Sequence, residues 1–122
     1  MASFVKLSPI NASTGTIRVS VKAINNFVPV LNDNAYIWFE ENRGGNGLEF
    51  RGRISRVHSD QEFEVADLVA VHFPLRNEDL RPLRDTPDSH PLSSLSSKLY
   101  KYSHNGSREI DAAEAQFLDT RF

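Results

Sequence analysis

The stretch "YIWFEENRGGNGLEFRGRISRV", residues 36–57, is the most informative part of this chain about its architecture. It opens with an aromatic segment, continues through glycines that can reverse the chain at positive φ, and ends in a segment of alternating polarity. In that last segment we expect Leu48, Phe50 and Ile54 to face the core, with Gly52 in the same row. The stretch therefore predicts a β-hairpin.

Further strands are predicted on both sides of the hairpin. Residues 16–24, "TIRVSVKAI", alternate between apolar and polar side chains, which is typical of a half-buried strand. Residues 35–39, "AYIWF", are apolar throughout and predict a central strand. Residues 65–73, "VADLVAVHF", predict another strand, which Pro74 closes.

The back half of the chain predicts helices. Residues 76–91 are rich in charge and proline and predict a loop with one short helical turn, while residues 91–102 carry leucines and a tyrosine at helical spacing. A second helix is predicted to begin at Asp111, with Glu114 at the capping-box spacing. The expected fold class is α+β. It is a single domain, residues 1–122, built as a partly open β-barrel of five to six strands with two or three short helices, mainly C-terminal.

Composition excludes several functional classes. The chain has 122 residues and is 39% hydrophobic, with no apolar run near the roughly 20 residues that span a bilayer. Its first residues do not resemble a secretory leader, so we expect a cytoplasmic protein without membrane contact. The absence of cysteine excludes disulfides and thiolate nucleophiles, and the four histidines form no metal-binding motif. We therefore expect neither a metal nor a cofactor.

Charge is concentrated in one part of the chain. The formal net charge of −2 gives no overall attraction to nucleic acid, but residues 43–58 contain four arginines and one glutamate, a local balance of +3. The candidate phosphate-binding residues are Arg43, Arg51, Arg53 and Arg56. Alternatively, these arginines form a solvated face paired with Glu40, Glu41 and Glu49. Both interpretations are open at this point.

The aromatic strand also has two interpretations. Tyr36 and Trp38 share one face, opposite to Ile37 and Phe39, so one pair can belong to the core while the other lines a cavity. Trp38 is the only tryptophan, and flat aromatic rings are what proteins use to stack a nucleobase. The alternative is that Trp38 is a core aromatic with a hydrogen-bonded indole. Gly52 permits either a bulge or the close approach of a backbone or ligand.

The order of these features over residues 32–122 resembles the EVE-like branch of the PUA-like superfamily. The resemblance rests on a tryptophan strand, a glycine-rich turn, the element Gly52-Arg53-Ile54, a leucine-and-tyrosine helix, "SHN" at residues 103–105 and a final acidic helix ending in an aromatic. It implies a small barrel flanked by helices that binds DNA or RNA. It also implies that a plain or modified base, flipped out of its stack, is held in an aromatic-lined pocket.

The resemblance suggests where this pocket lies. Its candidate base-binding residues are Trp38, Tyr36, Gly44, Gly45, Asn46, Ser103, His104 and Asn105. The first residues of the chain depart from the family pattern, since they offer only Phe4 as an aromatic, with Asn11 and Ser13 as polar partners. Related bacterial domains are often fused to nucleases. This chain has no nuclease signature, so the resemblance implies a non-enzymatic reader with a partner nuclease or effector protein.

Two other functions compete with the reader. One is a protein-interaction module in which the arginine-bearing strand is an exposed edge that pairs with a partner. The other is a small amidohydrolase acting on a modified nucleoside. Such an enzyme needs a lysine or glutamate buried beside the pocket, for which Lys22 and Glu40 are the candidates.

Overall fold

The computed structural model describes residues 2–12, 14–83, 96 and 105–122, in which a mixed sheet is flanked by two helices. The six strands are β1 (Ala2–Leu7), β2 (Ile17–Ser20), β3 (Asn34–Phe39), β4 (Gly47–Val57), β5 (Glu62–Leu75) and β6 (Gly106–Ile110). The helices of the described part are α1 (Asn77–Leu80) and α2 (Ala112–Asp119). Short 3₁₀ turns occupy Glu41–Arg43 and Arg81–Leu83.

The sheet curls into a partly open barrel. Its strand order is β2-β5-β4-β3-β1-β6, and β1 runs parallel to β3 while the other neighbours are antiparallel. The chain that follows β2 joins β6, because the Ile24 amide donates to the Ser107 carbonyl and the Ser107 amide to the Lys22 carbonyl, both at 2.9 Å. The chain next to one edge strand, β2, is therefore paired with the other edge strand, β6. This confirms the predicted α+β class and the partly open barrel.

Each face of the sheet carries its own apolar cluster. The inner cluster fills the curl and is formed by Val5, Leu7, Ile17, Val19, Phe27, Ala35, Ile37, Phe39, Ile54, Phe63 and Val65. The outer cluster lies partly beneath α2 and contains Phe4, Tyr36, Trp38, Leu48, Leu75, Leu80, Ile110 and Leu118. Alternate residues of one strand point to opposite faces, so the continuously apolar β3 contributes to both clusters. Its central position agrees with the prediction from residues 35–39.

The predicted hairpin is present, but a bulge changes which face of the sheet some of its side chains occupy. β3 pairs antiparallel with β4, and the register shifts between Ile37 and Trp38. Ile37 is opposite Phe50 while Trp38 is opposite Leu48, so the bulge places Leu48 in the outer cluster and Phe50 against the inner one. The expectation that Leu48 and Phe50 share one face was wrong, because one extra residue reverses the alternation.

Two strand boundaries differ from the prediction. β2 is only Ile17–Ser20, because residues 22–24 leave β5 and pair with β6 instead. β5 continues past Pro74 to Leu75. Between Ala70 and Leu75 this strand bulges away from β4, so the proline nitrogen is not needed as a donor there. The amides of His72 and Phe73 donate instead to the Arg121 carbonyl, at 2.8 and 2.9 Å.

The second predicted helix begins where its capping residues indicate. Asp111 accepts a hydrogen bond from the Glu114 amide at 2.7 Å, and the Glu114 carboxylate accepts from the Asp111 amide at 3.0 Å. This reciprocal capping box satisfies two amides at the start of α2. Of the predicted helix at residues 91–102 the structure describes only Ser96, which is helical, and the rest lies outside the described residues. Within the described ranges, no helix is long and apolar enough to cross a membrane.

Candidate nucleic-acid interface

Four arginines lie on the outer face of β2 and β4, the two strands that flank β5, and we call them the arginine row: Arg18, Arg51, Arg53 and Arg56. Arg51 is opposite Tyr36 and Arg53 is opposite Asn34, which places both on the Tyr36 side of the sheet. Glu64 is opposite both Arg18 and Arg56 in its two neighbouring strands. α2 contributes Leu118 to the cluster over β1, β3 and β6, so the row occupies the adjoining part of the outer face.

A second bulge brings Arg56 into this row. Ile54 is opposite Val65 and points into the barrel, so simple alternation would turn Arg56 inward as well. The register between β4 and β5 shifts between Ile54 and Arg56, and Arg56 comes to lie beside Glu64 on the outer face. Gly52 lies at another such shift, where an added Cβ would overlap Val65 and the Ala66 carbonyl. Gly52 thus allows the β5 backbone at Val65 and Ala66 to approach β4 closely.

Each arginine of the row forms an ion pair. The pairs are Arg18 with Glu62 at 3.2 Å, Arg51 with Asp119 at 3.1 Å, Arg53 with Asp67 at 2.9 Å and Arg56 with Glu64 at 3.9 Å. The predicted partners Glu40, Glu41 and Glu49 are therefore not the acids that pair with the row. The arginines thus form a solvated face paired with acidic side chains, as one of the two interpretations predicted. The acidic side chains belong to β5 and α2 instead of the predicted positions. A His58 hydrogen bond at 2.8 Å holds the pKa of Glu64 below its usual range.

Arg43 does not belong to the row. It lies in the 3₁₀ turn Glu41–Arg43, beyond the end of β3, and its side chain is exposed. Arg53 and Arg56 lie toward the other end of β4, beside and beyond the start of β3. The structure thus brings together three of the four predicted phosphate-binding residues and adds Arg18, for which the sequence offered no signal beyond outward alternation.

Trp38 is part of the core. Its side chain has no exposed surface, and its ring centre lies 6.1 Å from that of Phe4. No face of the indole is open to a stacked base in this structure, which agrees with the alternative that Trp38 is a core aromatic. The expected hydrogen bond is absent, because the buried Nε1 has no partner within the described part of the chain.

Other predicted pocket residues gather at the Trp38 end of the sheet. Gly44 adopts a left-handed conformation and, with Gly45, closes the turn onto Glu40 and Glu41, while the Asn46 amide faces Glu49. Asn105 precedes β6 at the same end, since Gly106 is opposite Lys6 and Lys6 is opposite Trp38. Ser13, Ser103 and His104 lie outside the described residues. Gly44, Gly45, Asn46 and Asn105 therefore lie at the opposite end of the sheet from Arg53 and Arg56.

Tyr36 is fully buried and fastens α2 to the sheet. Its hydroxyl donates to Asp119 at 2.5 Å, and Asp119 also accepts from Arg51. The Arg51 guanidinium carbon lies 5.1 Å from the centre of the Phe122 ring. Burial and the hydrogen bond to Asp119 raise the pKa of Tyr36 far above its usual range. Tyr36 is thus a structural link between the row and the final helix, and its side chain has no surface exposed to a ligand.

This raised pKa predicts how stability changes with pH. Below about pH 10, where unfolded tyrosine is protonated, its contribution is fully present; above that pH the unfolded chain loses the proton while native Tyr36 keeps it. The free energy of unfolding should then fall by up to about 1.4 kcal/mol per pH unit from this group. Urea unfolding on the two sides of this pH should show a smaller decrease for Tyr36→Phe. An equal decrease in both proteins would contradict the assignment.

Two buried cations near Trp38 were not predicted. Lys6 and Arg108 are only 5% and 4% exposed, on the neighbouring strands β1 and β6. Burial lowers the pKa of both, and the nearby Glu40 partly offsets this shift for Lys6. Lys22, the lysine considered for an amidohydrolase, is less buried than either of them. The only available signal for Lys6 was a single charge within the apolar run "FVKL".

A groove of about 480 Å³ lies beside the arginine row. It is lined by Ala2, Asn34, Ile110, Asp111, Ala112, Ala115, Gln116 and Asp119. Asn34 is opposite Arg53, and Asp119 pairs with Arg51, so one wall of the groove adjoins the row. The side-chain amides of Asn34 and Gln116 can both donate and accept hydrogen bonds. The groove therefore combines space, an apolar floor and groups suited to a polar planar ligand.

Comparison with known proteins gives a fold relationship. No family model matches the sequence, and no curated protein matches it. The structure is similar to the crystal structure of protein PSPTO5229 from Pseudomonas syringae, with a TM-score of 0.63 over 100% of both chains and 12% sequence identity. At this identity the similarity concerns the fold alone.

Proposed function

We propose that this domain binds nucleic acid across the arginine row, with phosphates on the arginines and a base in the adjoining groove. The observation that carries this proposal is the placement of Arg18 on β2 and of Arg51, Arg53 and Arg56 on β4, all on one face of the sheet. The resemblance to EVE-like domains of the PUA-like superfamily supports it. A partner nuclease or effector protein would then act on the nucleic acid that the domain holds.

The ion pairs of the row do not prevent phosphate binding. Exposed pairs contribute only about 0–1 kcal/mol each, because solvent screens them. Arg56 is 71% exposed and lies 3.9 Å from Glu64, so a phosphate can replace this carboxylate at little cost. Arg53 is held at 2.9 Å from Asp67 and 2.8 Å from Asn32, which orients its guanidinium before a ligand arrives. A fixed guanidinium can bind a phosphate through two hydrogen bonds.

The groove replaces Trp38 as the proposed base site. A base that leaves its stack loses a few kcal/mol, which interactions in a pocket must restore. Asn34 and Gln116 provide amides for the base edge, and Ala2 and Ile110 provide apolar surface. Because amides both donate and accept, this groove can hold a base without requiring an aromatic ring on either side. Plain and modified bases remain equal candidates for the ligand.

Charge removal from the row tests the proposal. We expect the single variants Arg53→Gln and Arg56→Gln each to bind short DNA and RNA oligonucleotides more weakly in fluorescence anisotropy titrations. The slope of log affinity against log salt concentration should decrease by about 0.7–0.9 for each phosphate that the variant no longer neutralises. Arg43→Gln is the matched control, since it removes the same charge outside the row and should leave both quantities unchanged. Equal effects of all these variants would indicate nonspecific charge attraction and contradict the proposal.

A second candidate function is protein binding by strand addition. β4 lies between β3 and β5, so the arginine-bearing strand is not an edge, and that form of the hypothesis was wrong. β2 covers only Glu62–Val65 of the long β5, and further along this strand, before the amides that donate to Arg121, Val69 is 45% exposed. If the oligonucleotide titrations show no binding, this part of β5 becomes the leading interaction surface.

A further inference from the structure

An apolar loop lies at the end of the sheet where β3 begins, close to Arg53. Residues 28–31 read "VPVL", and Val28, Val30 and Leu31 are 59%, 52% and 54% exposed. Three large aliphatic side chains exposed within four residues form a concentrated apolar patch, which on a protein surface commonly marks an interaction site. We call residues 28–31 the apolar loop.

The apolar loop is held firmly against β4. On one side Phe27 is buried and packs against Phe63, with ring centres 6.0 Å apart. On the other side the Asn32 amide donates to the Ile54 carbonyl at 2.8 Å, and the Ile54 amide donates to the Asp33 carbonyl at 2.9 Å. A turn closed by the Asp33 amide and the Val30 carbonyl, at 3.1 Å, completes the loop. Its exposed side chains are therefore presented on a fixed backbone.

The loop and the arginine row form one surface. Arg53 Nη1 donates to the Asn32 side-chain oxygen at 2.8 Å, which joins the residue after the loop directly to the row. β4 extends past the start of β3, and Ile54, two residues before Arg56, forms the backbone hydrogen bonds to Asn32 and Asp33 that follow the loop. Cationic groups next to rigid apolar side chains match a ligand that carries phosphates beside flat apolar surfaces. Nucleic acid has this chemistry, and proteins insert Leu, Ile or Pro side chains between base steps.

We infer that the apolar loop inserts Val30 and Leu31 between the bases of a nucleic acid whose phosphates lie on Arg53 and Arg56. This inference rests on the proposed function and deepens it, since it assigns base unstacking to a segment distinct from the arginines. The loop would touch bases in any sequence, because aliphatic side chains offer no hydrogen bonds to read base edges. The expected ligand is therefore single-stranded or easily unstacked nucleic acid, with little sequence preference arising from the loop itself.

Oligonucleotides that contain 2-aminopurine test this inference, because the fluorescence of this base rises when it is unstacked. We expect the wild-type protein to increase that fluorescence on binding. Leu31→Ser should remove most of the increase and weaken affinity by about tenfold, the effect of removing one buried leucine side chain. The slope of affinity against salt should not change, since every phosphate-binding arginine is retained. Ile10→Ser is the control, because Ile10 is also exposed but follows β1 at the opposite end of β3.

The outcomes separate the two proposals. If wild type and Leu31→Ser bind equally well and raise the fluorescence equally, the loop does not insert, although binding across the row stands. If no oligonucleotide binds wild type, both proposals fail. If Leu31→Ser instead abolishes binding of the protein to vesicles containing anionic lipid, the apolar loop binds membranes and the inference is overturned. Circular dichroism of each variant shows whether the barrel is retained.

Discussion

Trp38→Ala is expected to destabilise the domain by about 3–5 kcal/mol, the usual cost of removing a large buried aromatic side chain. Trp38 has no exposed surface and packs against Phe4 and the rest of the outer cluster. A domain of this size is commonly stable by only about 5–15 kcal/mol, so the variant should be unfolded at moderate urea concentrations. Urea denaturation followed by circular dichroism measures the change. A decrease below about 1 kcal/mol would contradict the core placement.

Trp38→Phe separates packing from base stacking. Phenylalanine keeps an aromatic ring against Phe4, and the indole Nε1 that it removes has no hydrogen-bond partner among the described residues. We therefore expect a smaller decrease in stability than for alanine and unchanged affinity for oligonucleotides. The wild-type tryptophan emission should be blue-shifted and insensitive to oligonucleotide. A folded Trp38→Phe protein with reduced affinity for nucleic acid would restore the stacking role that the sequence suggested.

Gly47→Ala is the second change with a large expected effect. Gly47 has φ of +80°, and an added Cβ would overlap the Leu75 carbonyl oxygen and lie 3.3 Å from the Trp38 ring. Left-handed strain costs roughly 1–2 kcal/mol and forced overpacking about 1–3 kcal/mol, so we expect a decrease in stability of about 2–5 kcal/mol. The overlap arises because β5 passes directly over the end of the hairpin turn, whereas the strain belongs to the turn itself. The measurement is again the free energy of unfolding in urea.

Gly44→Ala is the matched control in the same turn. Gly44 has φ of +88°, but nothing lies within 4 Å of an added Cβ. This variant carries the conformational strain without the steric overlap, so its stability should decrease by only about 1–2 kcal/mol. Equal decreases at the two positions would mean that the approach of β5 to Gly47 contributes nothing.

These two glycines show why the hairpin could be predicted and its surroundings could not. The need for positive φ is local, and the sequence "NRGGNG" indicates it directly. The overlap at Gly47 depends on Leu75, which belongs to a later strand and meets the turn only because β5 pairs with β4. The same limit applies to Trp38, whose burial depends on Phe4 and Leu80 from distant parts of the chain.

The candidate site was predicted in part for the same reason. Outward alternation correctly predicted that Arg51 and Arg53 face away from the inner cluster, since their facing depends on one strand. Arg56 reaches the row through a bulge that exists only in the pairing of β4 with β5. The apolar loop could not be predicted, because its exposure follows from how residues on both sides attach to β4 and to Phe63.

Features that depend on neighbouring residues could be predicted from the sequence: the β3–β4 hairpin, the start of α2 at its Asp111–Glu114 box, and the absence of cysteine chemistry. Other features emerge only from the tertiary structure, which inserts β1 between β3 and β6, places Trp38 in the core, and buries Lys6 and Arg108. The physical reason is one of range. Dihedral preferences, capping and alternation act over a few residues, whereas burial and strand order depend on interactions between distant segments.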